Sequence, residues 1–431
     1  MNTIKLGHPA APEKYYILNL VFDSFDNEGK PLPNLNYLND KLGGKYLILP
    51  FGIMKLTPPG IKIRICRLSD VNPDRDYYYF INHNCSYQNL FNGEEWQLPE
   101  VVEKMVAERN LKIIFYNEHE SFLNSQDFYL KLLSTIRNKK LRESLFYIAN
   151  NSSQLYDVKS NNPSGINVFK TNYLIELVSK YIIVKPDHKK IITDKKFIFL
   201  CHNRRPKPHR TSLLALLNMD GLLNSNITDW SLTYGINNDY NINSENFQGD
   251  IFLENDEFNN SFKKITGTKK LSYFEREVNW FNNQEDYKAE QHVSLKSYDE
   301  SYINIITESH FSIENVHITE KSFKPFYYFQ IPIFVASYKH VDYLRKEHDL
   351  YLFDDLIDHS YDLEPDSTKR ILKIVEEIKR ISNLRDEVKE YYSKNLDKMI
   401  HNSNYILNYK DKRYMDNFFI SLGEEKKKSI I

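Results

Sequence analysis

The amino-acid sequence predicts an α/β protein of two successive halves, each built around a mostly parallel sheet. Three observations carry that expectation. Apolar, β-prone runs alternate with segments whose apolar residues recur at helical spacing, which is the rhythm of the βαβ unit. The 431 residues exceed one ordinary domain and suit two of about 200. Near the middle, the polar and proline-bearing stretch Lys185-Pro186-Asp187-His188-Lys189-Lys190 reads as a linker. The expected divisions are residues 1–190, residues 191–400 and a C-terminal extension, 401–431.

In the first half, 15–22, 46–51, 77–82 and 111–116 read as strands. Between the last two, 98–109 reads as a helix, with Pro99 and Glu100 suited to its first turn. A helix at 125–142, a strand at 145–149 and a helix at 172–183 follow. The second half opens with strand 196–201, a basic loop at 202–210 and a helix at 211–223 capped by Thr211 or Ser212. Residues 228–234 form a strand. The Asn-rich stretch 235–290 reads as an insertion with one helix near 270–282. Strand 302–307, helix 319–329 and strand 331–336 come next, then helices at 340–346, 366–381 and 384–399. The runs Tyr77-Tyr78-Tyr79-Phe80 and Tyr327-Tyr328-Phe329 fall inside a strand and a helix and read as core.

Composition narrows the function. Hydrophobic residues make up 41% and charged residues 27%, as in globular proteins, and 57 basic against 58 acidic residues leave a net charge of −1. A protein that coats duplex nucleic acid would carry a basic excess, so nucleic acid is not expected as a partner. Cys66, Cys85 and Cys201 are too scattered for a zinc pattern or a disulfide framework and fit a reducing compartment. The N-terminus lacks a signal-peptide core, and no apolar run approaches the roughly 18–20 residues that span a bilayer, so a cytoplasmic protein is expected.

Two loops carry the candidate chemistry. In His202-Asn203-Arg204-Arg205-Pro206-Lys207-Pro208-His209-Arg210, between strand and helix, Arg204, Arg205 and Arg210 could converge on phosphate. The second is Glu308, which ends an apolar strand, together with Thr319-Glu320-Lys321. A diphosphate requires a cation and helix-terminal N–H groups, and a ribose requires a carboxylate acceptor. Lys321 and Glu320 offer both kinds of group. The plainer reading is a helix start, with Thr319 as cap and Glu320 favourable to the helix dipole. A general base for a hydroxyl acceptor would come from a strand end of the first half: Asp23, His83, or the favoured Glu118 and Glu120. Asp74-Arg75-Asp76 reads as a turn, and Asp354, Asp355, Asp358 and His359 read as a surface loop and helix cap, not as metal ligands.

The order strand–Glu308, loop, Thr319-Glu320-Lys321 and Ile331-Pro332-Ile333 resembles the donor-site signature of α1,3-fucosyltransferase-like glycosyltransferases. Uncharacterised glycosyltransferase-like proteins of phages and bacteria are more similar still. They share Asn203-Arg204-Arg205, the 319–325 helix start and the acidic run 354–362. The resemblance covers about 195–400. It implies the GT-B fold, two Rossmann-like domains facing each other across a cleft. It also implies Glu320 on the ribose of a nucleotide-diphosphate sugar, and Lys321 with Arg204 or Arg205 on the diphosphate. One departure is Ser309-His310 after Glu308, where fucosyltransferases carry Asn-Ser.

The expected function is therefore transfer of a sugar from a nucleotide-diphosphate donor to a carbohydrate or other hydroxyl acceptor. Inversion is expected, and cationic side chains in place of a metal would neutralise the leaving group. The cell would be bacterial, or one infected by phage. Two readings compete: a structural protein that keeps the fold without turnover, and a transferase acting on modified DNA bases.

Overall fold

The computed structural model describes residues 16–22, 61–66, 77–82, 104–105, 107–108, 112–117, 145–150, 167–171, 189, 191–203, 207–232, 255–266, 295–312 and 316–409. The chain divides into two compact units, Met1–Tyr173 with Lys410–Ile431, and Leu174–Tyr409.

The first unit holds strands β1 (Tyr16–Phe22), β2 (Ile61–Cys66), β3 (Tyr77–Asn82), β4 (Lys112–Asn117), β5 (Leu145–Asn150) and β6 (Asn167–Thr171). They form one six-stranded sheet in the order β2-β1-β3-β4-β5-β6, and every pairing is parallel. This is a doubly wound, Rossmann-like order. Lys104, Met105, Ala107 and Glu108 are helical, within the expected 98–109 crossover. Sequence reading missed β2 and β6, the two edge strands, whose short runs mix in polar residues. The expected strand 46–51 and the helices at 125–142 and 172–183 lie outside the described residues.

The second unit holds β7 (Phe197–Asn203), β8 (Thr228–Leu232), β9 (Ser301–Thr307) and β10 (Ile331–Val335), in the order β10-β9-β7-β8 and again all parallel. Read from the other edge, β8-β7-β9-β10 repeats β2-β1-β3-β4. Every residue of β9 and β10 is buried, as continuous apolar runs in a covered parallel sheet must be.

Helices α1 (Pro208–Met219), α2 (Asp256–Thr266), α3 (Leu295–Asp299), α4 (Glu320–Tyr327) and α5 (His340–Glu347) lie between and after these strands. A 3-10 turn at His359–Leu363 precedes α6 (Ser367–Ser382), α7 (Arg385–Lys394) and α8 (Leu396–Asn408). Among the described residues, no helix is long and apolar enough to cross a membrane. Tyr327, Tyr328 and Phe329 are buried in the core, as expected.

Three expectations are corrected. Helix α1 starts at Pro208, not at Thr211 or Ser212: proline is preset for a first helical turn, where its missing N–H is no loss. Helix α2 lies in the stretch read as an insertion. Its signals are Asn255, whose Oδ1 accepts from Phe258 N at 2.9 Å, acidic Asp256 and Glu257 first, and Lys263 and Lys264 last. The expected helix near 270–282 is outside the described residues. The helix expected at 384–399 is two helices, broken at Asn395, whose side chain donates to Tyr391 O at 2.9 Å.

At the amino end of β7, Lys195 is buried with its ammonium on the last turn of α3. Its Nζ donates to Tyr298 O at 3.2 Å and Asp299 O at 2.9 Å, and lies 4.9 Å from the Tyr392 ring centre. Burial pulls its pKa down to about 8, against the attraction of Asp299.

Candidate anion site at the switch point of the second sheet

From β7 the chain adds β8 on one side, then crosses back to lay β9 on the other. The loops leaving β7 and β9 therefore diverge, and open parallel sheets place ligands in the crevice at such a point. Asn203 and Thr307, the last residues of these strands, are tied by Thr307 Oγ1 donating to Asn203 Oδ1 at 2.5 Å.

The first turn of α1 grips the end of β9. His209 Nε2 lies 3.0 Å from the Glu308 carbonyl, which can only accept, so Nε2 carries the proton. Burial, with Arg210 next to it, keeps this imidazole neutral. Arg210 is 5% exposed, and its Nη2 donates to Thr307 O at 3.2 Å and Glu308 O at 3.1 Å. Expected on phosphate, Arg210 instead clamps the strand end. Lys207, one turn earlier, donates from Nζ to Ser309 O at 2.7 Å.

Glu308 is 0% exposed and its carboxylate is fully engaged. Oε1 accepts from Thr319 N at 3.1 Å and Ser322 Oγ at 2.5 Å, and Oε2 from Thr319 Oγ1 at 2.6 Å and Ser309 N at 3.1 Å. Ser322 Oγ also lies 2.9 Å from His340 Nε2. With its single proton on Glu308, Ser322 accepts from the imidazole. Burial opposes ionisation of Glu308, but Lys321, His340 and the Ser322 and Thr319 hydroxyls outweigh it and hold the carboxyl below its usual range. A carboxylate with four internal donors has little capacity left for a ribose. Its task is to build the loop and the start of α4.

Thr319 caps α4, accepting from Lys321 N at 3.3 Å, so the plain helix-start reading of Thr319 holds. Lys321 stays at the surface, 35% exposed, with Nζ 3.1 Å from Thr319 Oγ1, 3.4 Å from Ser309 Oγ and 3.3 Å from Glu320 Oε1. The Glu320 side chain is 24% exposed. Burial works against its charge, yet Lys321 and Lys324 bring its pKa down to about 2, so it is ionised.

Cations from two crossovers thus meet on one residue: Lys207 at the Ser309 carbonyl and Lys321 at its hydroxyl. His310 and His317 pack edge to face beside it, with ring centres 5.1 Å apart. Burial, with the nearby lysines, lowers their pKa values to about 3 and about 4, so neither adds charge. Two ammonium groups and a part-exposed carboxylate at one sheet edge complement a diphosphate carrying a vicinal diol. Arg204, Arg205, Glu118 and Glu120 lie outside the described residues. Sequence reading passed over Lys207, which stands in the basic loop among arginines that drew the phosphate role.

A separate depression of about 570 Å3 is lined by Asp342, Arg345, Asp354, Asp358 and Arg380, among others. Arg345 pairs with Asp354 and Arg380 with Glu377, both at 2.6 Å, and Asp358 caps the 3-10 turn through Ser360 N. An acidic lining of this kind does not suit a phosphate.

No protein-family model and no curated protein matches the chain. Among solved structures, the chain is similar to a Listeria monocytogenes protein assigned as UDP-N-acetylglucosamine 2-epimerase, at TM-score 0.40 and 9% identity over 96% of this chain and 97% of that one. A trehalose-6-phosphate synthase matches at TM-score 0.37 and 11% identity, over 83% of this chain and 73% of that one. The S. aureus MnaA–UDP complex matches at TM-score 0.33 and 10% identity, over 94% and 95%. With similarity this low, the Rossmann-like character of each unit rests on its own strand order.

Proposed function

We propose that this protein is a glycosyltransferase of GT-B type that uses a nucleotide-diphosphate sugar and resembles the fucosyltransferase-like enzymes. One observation carries the reading: Lys207 and Lys321, from two different crossovers, meet at Ser309 beside the switch point between β7 and β9. In this reading the two ammonium groups hold the diphosphate and take up its growing negative charge as the glycosidic bond breaks. Arg204 or Arg205 would add to them, and Glu320 would accept from the ribose hydroxyls. The acceptor is a hydroxyl compound, and its proton passes to Glu118 or Glu120 of the first unit in an inverting displacement without a metal.

Titration calorimetry with UDP, GDP, CMP, dTDP and inorganic pyrophosphate tests the donor site. At least one nucleotide and pyrophosphate are expected to bind. Lys207→Ala and Lys321→Ala should each weaken binding about tenfold, the size of a lost charge-assisted hydrogen bond, with little change in melting temperature. A folded wild type that binds none of these probes would leave a scaffold protein as the better account. Glu118→Gln and Glu120→Gln should both preserve donor binding, and one of them should remove transfer to acceptor. Full activity in both would displace the base from these positions.

A further inference from the structure

The loop that carries Ser309 is also held from behind, by a residue that belongs to no ligand contact. Arg370, in the first turn of α6, is 2% exposed. Its guanidinium donates to four main-chain carbonyls: Nε to Ala336 O at 3.2 Å, Nη1 to Glu364 O at 2.6 Å and Pro365 O at 3.1 Å, and Nη2 to Phe311 O at 2.5 Å. The guanidinium carbon sits 4.6 Å from the centre of the Phe311 ring, and that ring stacks on His209 at 5.5 Å and 15°. Arg370, Phe311 and His209 thus form a contiguous run from α6, through the β9–α4 loop, to the turn of α1 that also bears Lys207. The neighbouring buried acid, Asp362, caps α5 through Val341 N and Asp342 N, both at 3.0 Å.

We propose that Arg370 is a positioning residue for the anion site, acting through Phe311 to hold Ser309 where Lys207 and Lys321 meet. The proposal rests on the diphosphate reading above. A guanidinium can donate to all four carbonyls, on three separate segments, with its carbon beside the Phe311 ring, whereas an ammonium has only three donors for them. If the loop drifts, the two lysines no longer share one anchor, and misplacement of about 1 Å is enough to weaken an oriented site strongly.

The test compares wild type with Arg370→Lys, Arg370→Ala and Phe311→Leu, reading the Kd for UDP and for pyrophosphate beside the melting curve. Phe311→Leu keeps the guanidinium and an apolar side chain while losing the stack, so it serves where an Arg370 variant fails to fold. Both Kd values are expected to rise about tenfold in Arg370→Lys and severalfold in Phe311→Leu. Millimolar guanidinium should restore binding in Arg370→Ala, while sodium chloride of equal ionic strength should not. Variants that melt earlier but keep the wild-type Kd would assign Arg370 to stability alone and overturn the proposal. Loss of UDP and pyrophosphate binding in the wild type itself would instead remove the diphosphate reading, and this inference with it.

Discussion

Glu308→Ala is expected to destabilise the second unit by about 3–5 kcal/mol, the range for removing one side of a buried charged network. The variant strands two backbone N–H groups, Ser309 N and Thr319 N, which cannot rotate to other partners, and two hydroxyls, Thr319 Oγ1 and Ser322 Oγ. Urea unfolding should show a lower midpoint with an unchanged slope, and a loss below 1 kcal/mol would mean that water or a neighbour replaces the carboxylate. Acid gives a second readout. Because the folded pKa lies below the unfolded value near 4.5, the stabilisation is complete above 4.5 and disappears as pH falls through the folded value. His310, His317 and His340, with depressed pKa values, already remove stability from about pH 6.5 downward. The carboxylate's share is therefore the difference between wild type and Glu308→Gln below pH 4.5, where the Gln variant should lose less.

Between pH 8 and 9.5, Lys195 is expected to contribute a gain of about 1.6 kcal/mol in stability. Its folded pKa near 8 lies below the ordinary lysine value of 10.5, so across that window this residue binds more protons in the unfolded chain and its contribution to stability rises with pH. From about pH 8.5 upward the buried Cys201 thiol, and then Tyr298 and Tyr392, oppose this gain, because burial raises their pKa values and the folded state holds protons that the unfolded chain has lost. The difference in unfolding free energy between wild type and Lys195→Met, measured at half-unit steps, should move in favour of the wild type across this window, because the buried Cys201 thiol and buried tyrosines lower both proteins alike. A constant difference would assign the effect to other groups.

What could be read in advance depended on how local the signal is. Strands β7, β9 and β10 were legible because a strand covered on both faces must be an unbroken apolar run. Thr319 was legible as a cap because a hydroxyl before a helix satisfies N–H groups only a residue or two away. The edge strands β2 and β6 carry weaker patterns. The internal role of Glu308 was not legible, since its donors come from positions 309, 319 and 322 and meet only when the loop folds back. Arg370 was equally hidden: on a charged helix such as α6 an arginine looks solvated, and only the closure of three loops around it reveals a buried fork.

The strand order has a cost during synthesis. β7 receives β8 within a few tens of residues, but its other flank waits for β9, whose first residue, Ser301, is 98 positions beyond Asn203 (301 − 203). Until the ribosome has delivered that segment, an apolar strand presents a free hydrogen-bonding margin, which invites pairing with a second nascent chain. A release halted anywhere between β8 and β9 would thus yield a sticky fragment and not a smaller stable domain.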